Sequence, residues 1–334
     1  MSKVICYPRC CVPEYYNDEY YYFEMFSIPE HKRSNVGHVG VQLFKELKKS
    51  KITPTVEALD FTIIAMAVVA ADKAILRRNS ADGWTRKIEL YIYLHDAAKW
   101  RKEKRKLEDM LRFLSGDFWM LTIKDLPESL VPKKKFDLRK QDCICLLSGG
   151  MDSLVGAIDL HEEGRNPLFV SQIVRGDPVY MNMLQEIWND VGINIDFVLP
   201  YKYKTKGEVL EECKNQNLME KFIFGSTSCG KYQRYGLRHC GVCVPCLVRR
   251  ASFLKNRMCD ETEGGYCKEN LQLADSKDVA AATLAVVQLK ENGIESLVKG
   301  MLTFAKGEER DLYLGVIERG LLEIGALLKE YNVI

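Results

Sequence analysis

Two groups of residues in this chain have types and spacings suited to chemistry. The first is Cys229, Cys240, Cys243 and Cys246, spaced C-x10-C-x2-C-x2-C in SCGKYQRYGLRHCGVCVPC. The second is LLSGGMDS, Leu146 to Ser153. Tetrahedral Zn2+ takes four thiolates at about 2.3 Å. A C-x2-C pair on a tight turn aims both sulfurs at one point, and Gly241 and Pro245 suit such turns. Cys229 can close the tetrahedron from the preceding loop, and His239 is not needed as a ligand. Four protein ligands leave the ion no open position, so its role is structural rather than catalytic. A set of buried thiols or disulfides is the competing reading, and the clustering favours the metal.

SGGMDS follows a short apolar segment, Cys143 to Leu147, expected as a strand, and precedes a helical pattern from Ser153 to Glu163. It lacks the spacing and the lysine of a Walker loop. Its glycines let backbone N–H groups approach a phosphate, and the helix start adds its positive dipole end. Ser148 and Ser153 can donate hydroxyl hydrogen bonds to phosphate oxygens. Asp152 can hold Mg2+ or cap the helix. An ordinary turn between strand and helix is the competing reading.

The elements that must position these groups fall into three regions. Residues 1–138 read as an N-terminal α+β domain. Strands are expected at Lys3–Cys6, Tyr20–Ile28, Ile88–Leu94 (period two) and Phe118–Ile123. Helices are expected at Gly37–Lys49, from a Thr53 cap to about Arg78, and at Trp100–Leu114. The linker LPESLVPKKKFDLRK places a boundary near Leu138. Residues 139–258 alternate as α/β: strand, phosphate loop, helix and a second strand at Pro167–Val174. A helix at Met181–Val191, a strand at Ile195–Leu199 and a helix at Glu208–Asn215 continue the pattern of a doubly wound sheet. Residues 259–334 read as a helical C-terminal region.

Composition narrows the classes. The chain has 334 residues, 47% hydrophobic, with a net charge of +2. There is no global basic signature, so nucleic acid is not favoured as a partner. The longest apolar run, Phe61 to Ala71, is too short to cross a bilayer and fits a buried helix. MSKVICYPRCC has no signal-peptide core, which points to the cytoplasm, with free thiols outside the cluster. Cys6, Cys10 and Cys11 are expected to be ordinary thiols, with a second metal site as the competing reading.

SGGMDS resembles the pyrophosphate (PP) loop of the N-type ATP pyrophosphatases. The cysteine cluster downstream of it is similar to that of the QueC family, 7-cyano-7-deazaguanine synthases. KTKGEVLEECKNQNLMEKFIFGSTSCG also resembles that family's K-x-E-[IT] segment, with Lys206 and Glu208 ahead of the first cysteine. ALDFTIIAMAVVAADKAILRR, FLSGDFWMLTI and CVPCLVRRASF resemble the QueC-like proteins of the Qat and type IV CBASS anti-phage operons. That likeness implies a Rossmann-like PP-loop domain with a structural four-cysteine zinc site, binding ATP and Mg2+.

The implied substrate is a 7-carboxy-7-deazaguanine, adenylated and then joined to an amine. Ser148, Gly149, Gly150, Asp152 and Ser153 are implied for ATP. Asp152, Ser153 and Lys206 are implied for the chemistry. Ammonia would give the nitrile, whereas a protein α-amino group would attach the base to a partner protein from the defence operon. An inactive nucleotide-binding scaffold and a tRNA-thiolating pyrophosphatase are the rival classes. Near-neutral charge argues against the latter. Arg249 and Arg250 are open to a phosphate, a surface or an ion-pair role. One departure is that Val174 to Asp177 runs straight into Pro178, where QueC-like proteins carry a longer segment. A natural shortening there would put ATP binding in doubt, and the intact motifs beyond it favour missing residues.

Overall fold

The computed structural model describes residues 2–30, 33–132, 141–171, 178–272 and 275–334. Two compact units are present, Met1–Arg139 with Gly176–Phe197 and Lys140–Arg175 with Val198–Ile334. The boundary expected near Leu138 and the junction before Pro178 lie outside the described residues.

In the first unit, β1 (Ser2–Pro8), β2 (Tyr21–Met25), β3 (Val36–Val39), β4 (Lys87–Leu94) and β5 (Phe118–Asp125) form one sheet. Its order is β3-β2-β1-β4-β5, with every pairing parallel. The α+β expectation is therefore corrected to α/β. Strand direction is not written in local periodicity. The alternation in β4 suggested a half-solvated strand, the usual mark of an antiparallel sheet. Here one face of a parallel sheet is simply less covered than the other. Gly37–Val39, expected within a helix, belongs to β3 instead. A Cβ on Gly37 would come within 2.8 Å of the Phe23 ring, so a larger residue there would force that ring to shift.

Right-handed crossovers explain the uneven cover. The moves β3→β4 and β4→β5 run the same way across the sheet, so their helices fall on one face. These helices are α1 (Leu43–Lys49) and α2 (Val56–Ala74), then α3 (Ala97–Lys102) and α4 (Lys104–Ser115). Thr55, rather than the expected Thr53, caps α2 by accepting from the Ala58 N–H at 3.2 Å. The moves β1→β2 and β2→β3 run the opposite way, and their described residues carry no α-helix. Leu90, Ile92, Leu94 and Trp100 are fully buried on the helical face, each aliphatic chain contributing about 1.5–3 kcal/mol. Buried Asp60 on α2 accepts the N–H groups of His95 and Asp96, each at 2.9 Å, and fixes the helix to the end of β4.

α6 (Pro178–Asp190) belongs to this unit, not to the region carrying the loop and cysteines. Ile187 and Val191 enter the same core, and Lys99 donates to the Val191 carbonyl at 3.1 Å. The strand expected at Ile195–Leu199 does not form. Gln185 takes up its backbone groups, bonding the Ile195 carbonyl and the Phe197 N–H at 2.8 Å each. Phe197 stacks on Trp188 with centroids 4.7 Å apart.

In the second unit, β6 (Cys143–Leu147) and β7 (Pro167–Ser171) pair in parallel around α5 (Met151–Glu162). Among the described residues this sheet has two strands. α7 (Lys206–Glu211), α8 (Gln216–Ile223), α9 (Val244–Lys255), α10 (Lys277–Val298) and α11 (Glu308–Glu330) make up the rest. α9, α10 and α11 share one core with the four cysteines, including Leu247, Val286 and Leu328. The C-terminal helices are therefore part of the unit that holds the cysteine cluster. No described helix is long and apolar enough to cross a membrane.

Candidate functional site

Cys229, Cys240, Cys243 and Cys246 are all buried, with their sulfurs within 4.8 Å of one another. Two sulfur pairs, Cys240–Cys246 and Cys229–Cys243, are 3.9 Å apart. Four thiolates at about 2.3 Å from a tetrahedral ion would be about 3.8 Å apart. The group can therefore hold a metal ion such as zinc. The backbone N–H groups of Lys231 and Cys240 each lie 3.3 Å from the Cys229 sulfur, and that of Cys243 lies 3.3 Å from the Cys240 sulfur. Such donors stabilise thiolate charge. The hydrogen bond from Cys246, with backbone N–H groups, lowers the Cys243 thiol below its ordinary range.

Local sequence explains the shape. Gly241 sits at φ +84°, and a Cβ there would be 2.2 Å from the Lys268 carbonyl oxygen. Pro245 occupies the first turn of α9, where no N–H is needed. His239 is not grouped with the four sulfurs. Its Nε2 accepts from the Ser228 N–H at 3.2 Å. Burial, helped by the Arg249 charge, holds its imidazole down at about 4.

The SGGMDS loop lies between β6 and α5. Gly149 adopts φ +80°, and a Cβ there would meet nothing within 4 Å, so its outer side is open. Gly150 is the N-cap of α5 and supplies no side-chain acceptor to the first-turn N–H groups. Ser148 Oγ and Ser153 Oγ are 3.2 Å apart, and Ser153 donates to the Gly150 carbonyl at 2.9 Å. The Thr227 N–H donates to the Gly149 carbonyl at 2.7 Å. This bond joins the loop to the segment just ahead of the first cysteine.

Lys206 is the first residue of α7, and its ammonium is ion-paired with Asp152 Oδ2. Asp152 Oδ1 is buried without a partner. A buried unpaired carboxylate oxygen is costly and fits a site that takes a cation or a donor. Mg2+ fits that oxygen, and a phosphate fits the open, uncapped glycine turn.

Lys206 is held firmly. Thr205 and Glu208 form a reciprocal capping box, Arg319 bonds Glu208 at 2.5 Å, and Glu323 bonds Thr205. Arg319 and Lys255 outweigh burial and keep the Glu208 carboxyl below its ordinary range. The T-x-x-E spacing of this box is a sequence signal for the helix start. The support from Arg319 and Glu323, more than a hundred residues away in the chain, carries no such signal.

The structure thus brings together Ser148, Gly149, Gly150, Asp152, Ser153 and Lys206, and separately the four cysteines. Arg249 and Arg250 lie on neither a surface nor an open phosphate site. Arg249 is fully buried and donates to Thr262 Oγ1, to Ser226 Oγ and to the carbonyls of Ser226, Ile223 and Phe224. Arg250 donates to the carbonyls of Gly241 and Glu269 and stacks over Tyr266 and Tyr331. Both tie loop backbone around the cysteine cluster. No family model, curated protein or solved structure matches this chain.

Proposed function

We propose that this chain is a QueC-like, AMP-forming carbon–nitrogen ligase of anti-phage defence. Its substrate is a 7-carboxy-7-deazaguanine, and its amine is the N-terminus of a partner protein from the same operon. The observation that carries this reading is the meeting of Lys206 and Asp152 beside an open glycine turn. That arrangement suits an anionic nucleotide and a divalent cation better than it suits a structural turn.

A carboxylate is a poor electrophile because its leaving group would be oxide. Attack of the carboxylate oxygen on the α-phosphorus of ATP forms an acyl-adenylate and expels pyrophosphate. The amine then attacks the carbonyl, AMP departs and the amine gives up a proton. The loop N–H groups, Ser148 and Ser153 would bind the departing pyrophosphate, with Asp152 holding Mg2+. Lys206 would turn from Asp152 towards the substrate carboxylate or the adenylate. Ammonia in place of the protein amine would yield the amide, and a second adenylation the nitrile. The cysteine cluster would hold structural Zn2+. The N-terminal unit would serve as the docking surface for the partner.

Incubating the chain with ATP, Mg2+, carboxy-deazaguanine, an ammonium salt and the operon partner tests this. AMP, pyrophosphate and a partner heavier by one acyl group are expected, measured by intact mass. Free nitrile with an unmodified partner would leave ordinary QueC chemistry. A non-catalytic nucleotide-binding scaffold is favoured by one observation, the two-stranded sheet among the described residues. Nucleotide binding without AMP formation would establish that alternative.

A further inference from the structure

The less covered face of the N-terminal sheet has a feature that the proposed ligase chemistry does not use. The order β3-β2-β1-β4-β5 reverses direction between β1 and β4. Over β1 and β2 the face is closed by the loop that joins them. Tyr16 hydrogen-bonds Tyr7 at 2.9 Å and packs edge-on to Tyr22. Over β1, β4 and β5 the face stays open, as a cavity of about 540 Å³. That volume lies within the range of small-molecule sites, roughly 300–1,000 Å³.

Its lining combines aromatic rings with cations. Lys3 Nζ lies 4.8 Å from the Tyr20 ring centroid and 5.0 Å from that of Tyr91. Lys124 Nζ lies 5.6 Å from both the Tyr91 and Tyr93 centroids. Two carboxylates near the site are already engaged. Asp125 is bonded by Arg101, and Glu89 pairs with Lys3 and accepts from the Tyr91 hydroxyl. Among the described residues, Lys124 has no carboxylate partner. Its charge rests on two tyrosine faces, a weak attraction of about 0.5–1 kcal/mol at an exposed site.

We propose that this cavity binds a small planar aromatic anion. The ring would stack among Tyr20, Tyr91 and Tyr93, and the anionic group would draw Lys124, with Lys3, off the tyrosine faces. A nucleotide and an aromatic carboxylate share this chemistry, and both are probed.

Calorimetry on the full chain would use AMP and indole-3-carboxylate as probes, with adenosine and ribose 5-phosphate as controls. Binding of one or both probes is expected, weakened roughly tenfold or more by Lys124→Ala and by Tyr93→Leu. Asp152→Ala should leave indole-3-carboxylate binding and the Lys124-dependent part of AMP binding unchanged, which separates this site from the glycine loop. Adenosine and ribose 5-phosphate should each bind at least about tenfold more weakly than AMP if AMP is the ligand recognised. The proposal is overturned if neither probe binds. It is also overturned if Asp152→Ala abolishes binding while Lys124→Ala does not, or if ribose 5-phosphate matches AMP. Lys124 is exposed, so its variant should fold, and circular dichroism checks this.

Discussion

Lys206 and Asp152, 54 positions apart in the chain, meet at the start of α5. One carboxylate oxygen takes the ammonium and the other is buried without a partner. The pair is partly open to solvent, with side-chain exposures of 38% and 42%. An ion pair that open contributes little to stability, typically about 0–1 kcal/mol. The proposed reaction gives the pair a role at a ligand instead, and that role can be tested apart from stability.

Asp152→Ala and Lys206→Ala should each slow pyrophosphate release by about 100-fold or more. Each should change unfolding free energy by less than about 1 kcal/mol. Urea melts beside a pyrophosphate assay check both. A large stability loss in either variant would make the pair structural instead.

The cysteine cluster should behave in the opposite way. The purified chain should carry about one zinc per molecule by elemental analysis. Cys243→Ser or a strong chelator should remove the metal and unfold the second unit before any step of the reaction is selectively affected. Gly241→Ala should do much the same, because its Cβ would strike the Lys268 carbonyl at 2.2 Å from a left-handed backbone.

Arg249→Leu should destabilise the second unit, by about 1–3 kcal/mol for each buried acceptor left without a donor, read by denaturant titration. The guanidinium serves the carbonyls of Ile223, Phe224 and Ser226, which would lose their donor inside the core. Arg249→Lys should not rescue the loss, since an ammonium lacks the planar fork that reaches all of them.

Acid should weaken the first unit through Asp117. Burial pushes its carboxyl up, but bonds from Arg86 at 2.6 and 3.1 Å, with Arg77 at 3.0 Å, outweigh it. The native pKa is therefore lower than the unfolded one. The stabilisation is fully present above about pH 4, the ordinary carboxylate value, and is lost as pH falls through the lowered native value. Asp117→Asn should flatten that acid limb and lower stability at pH 7, measured by melts between pH 2 and 7.

The cysteine spacing, the SGG turn before a helix, and most strand and helix positions were legible in the sequence. They depend on neighbours a few residues apart. Gly241 and Pro245 each meet a need of the local backbone; the Thr205–Glu208 box does too, but the helix expected from Glu208 to Asn215 in fact starts at Lys206 and ends at Glu211. Strand direction was not legible, because β4 has the same alternation in either kind of sheet once one face is left open. Nor could the sequence place α6, which lies beyond the loop in the chain yet fills the core of the first unit with Ile187 and Val191. The roles of Arg249 and Arg250 were likewise decided by burial, which long-range packing sets. Lys206 and Asp152 were each singled out by type and position. Only the tertiary structure joined them, through α7 and its anchors Arg319 and Glu323, because an ion pair depends on distance in space and not on spacing along the chain.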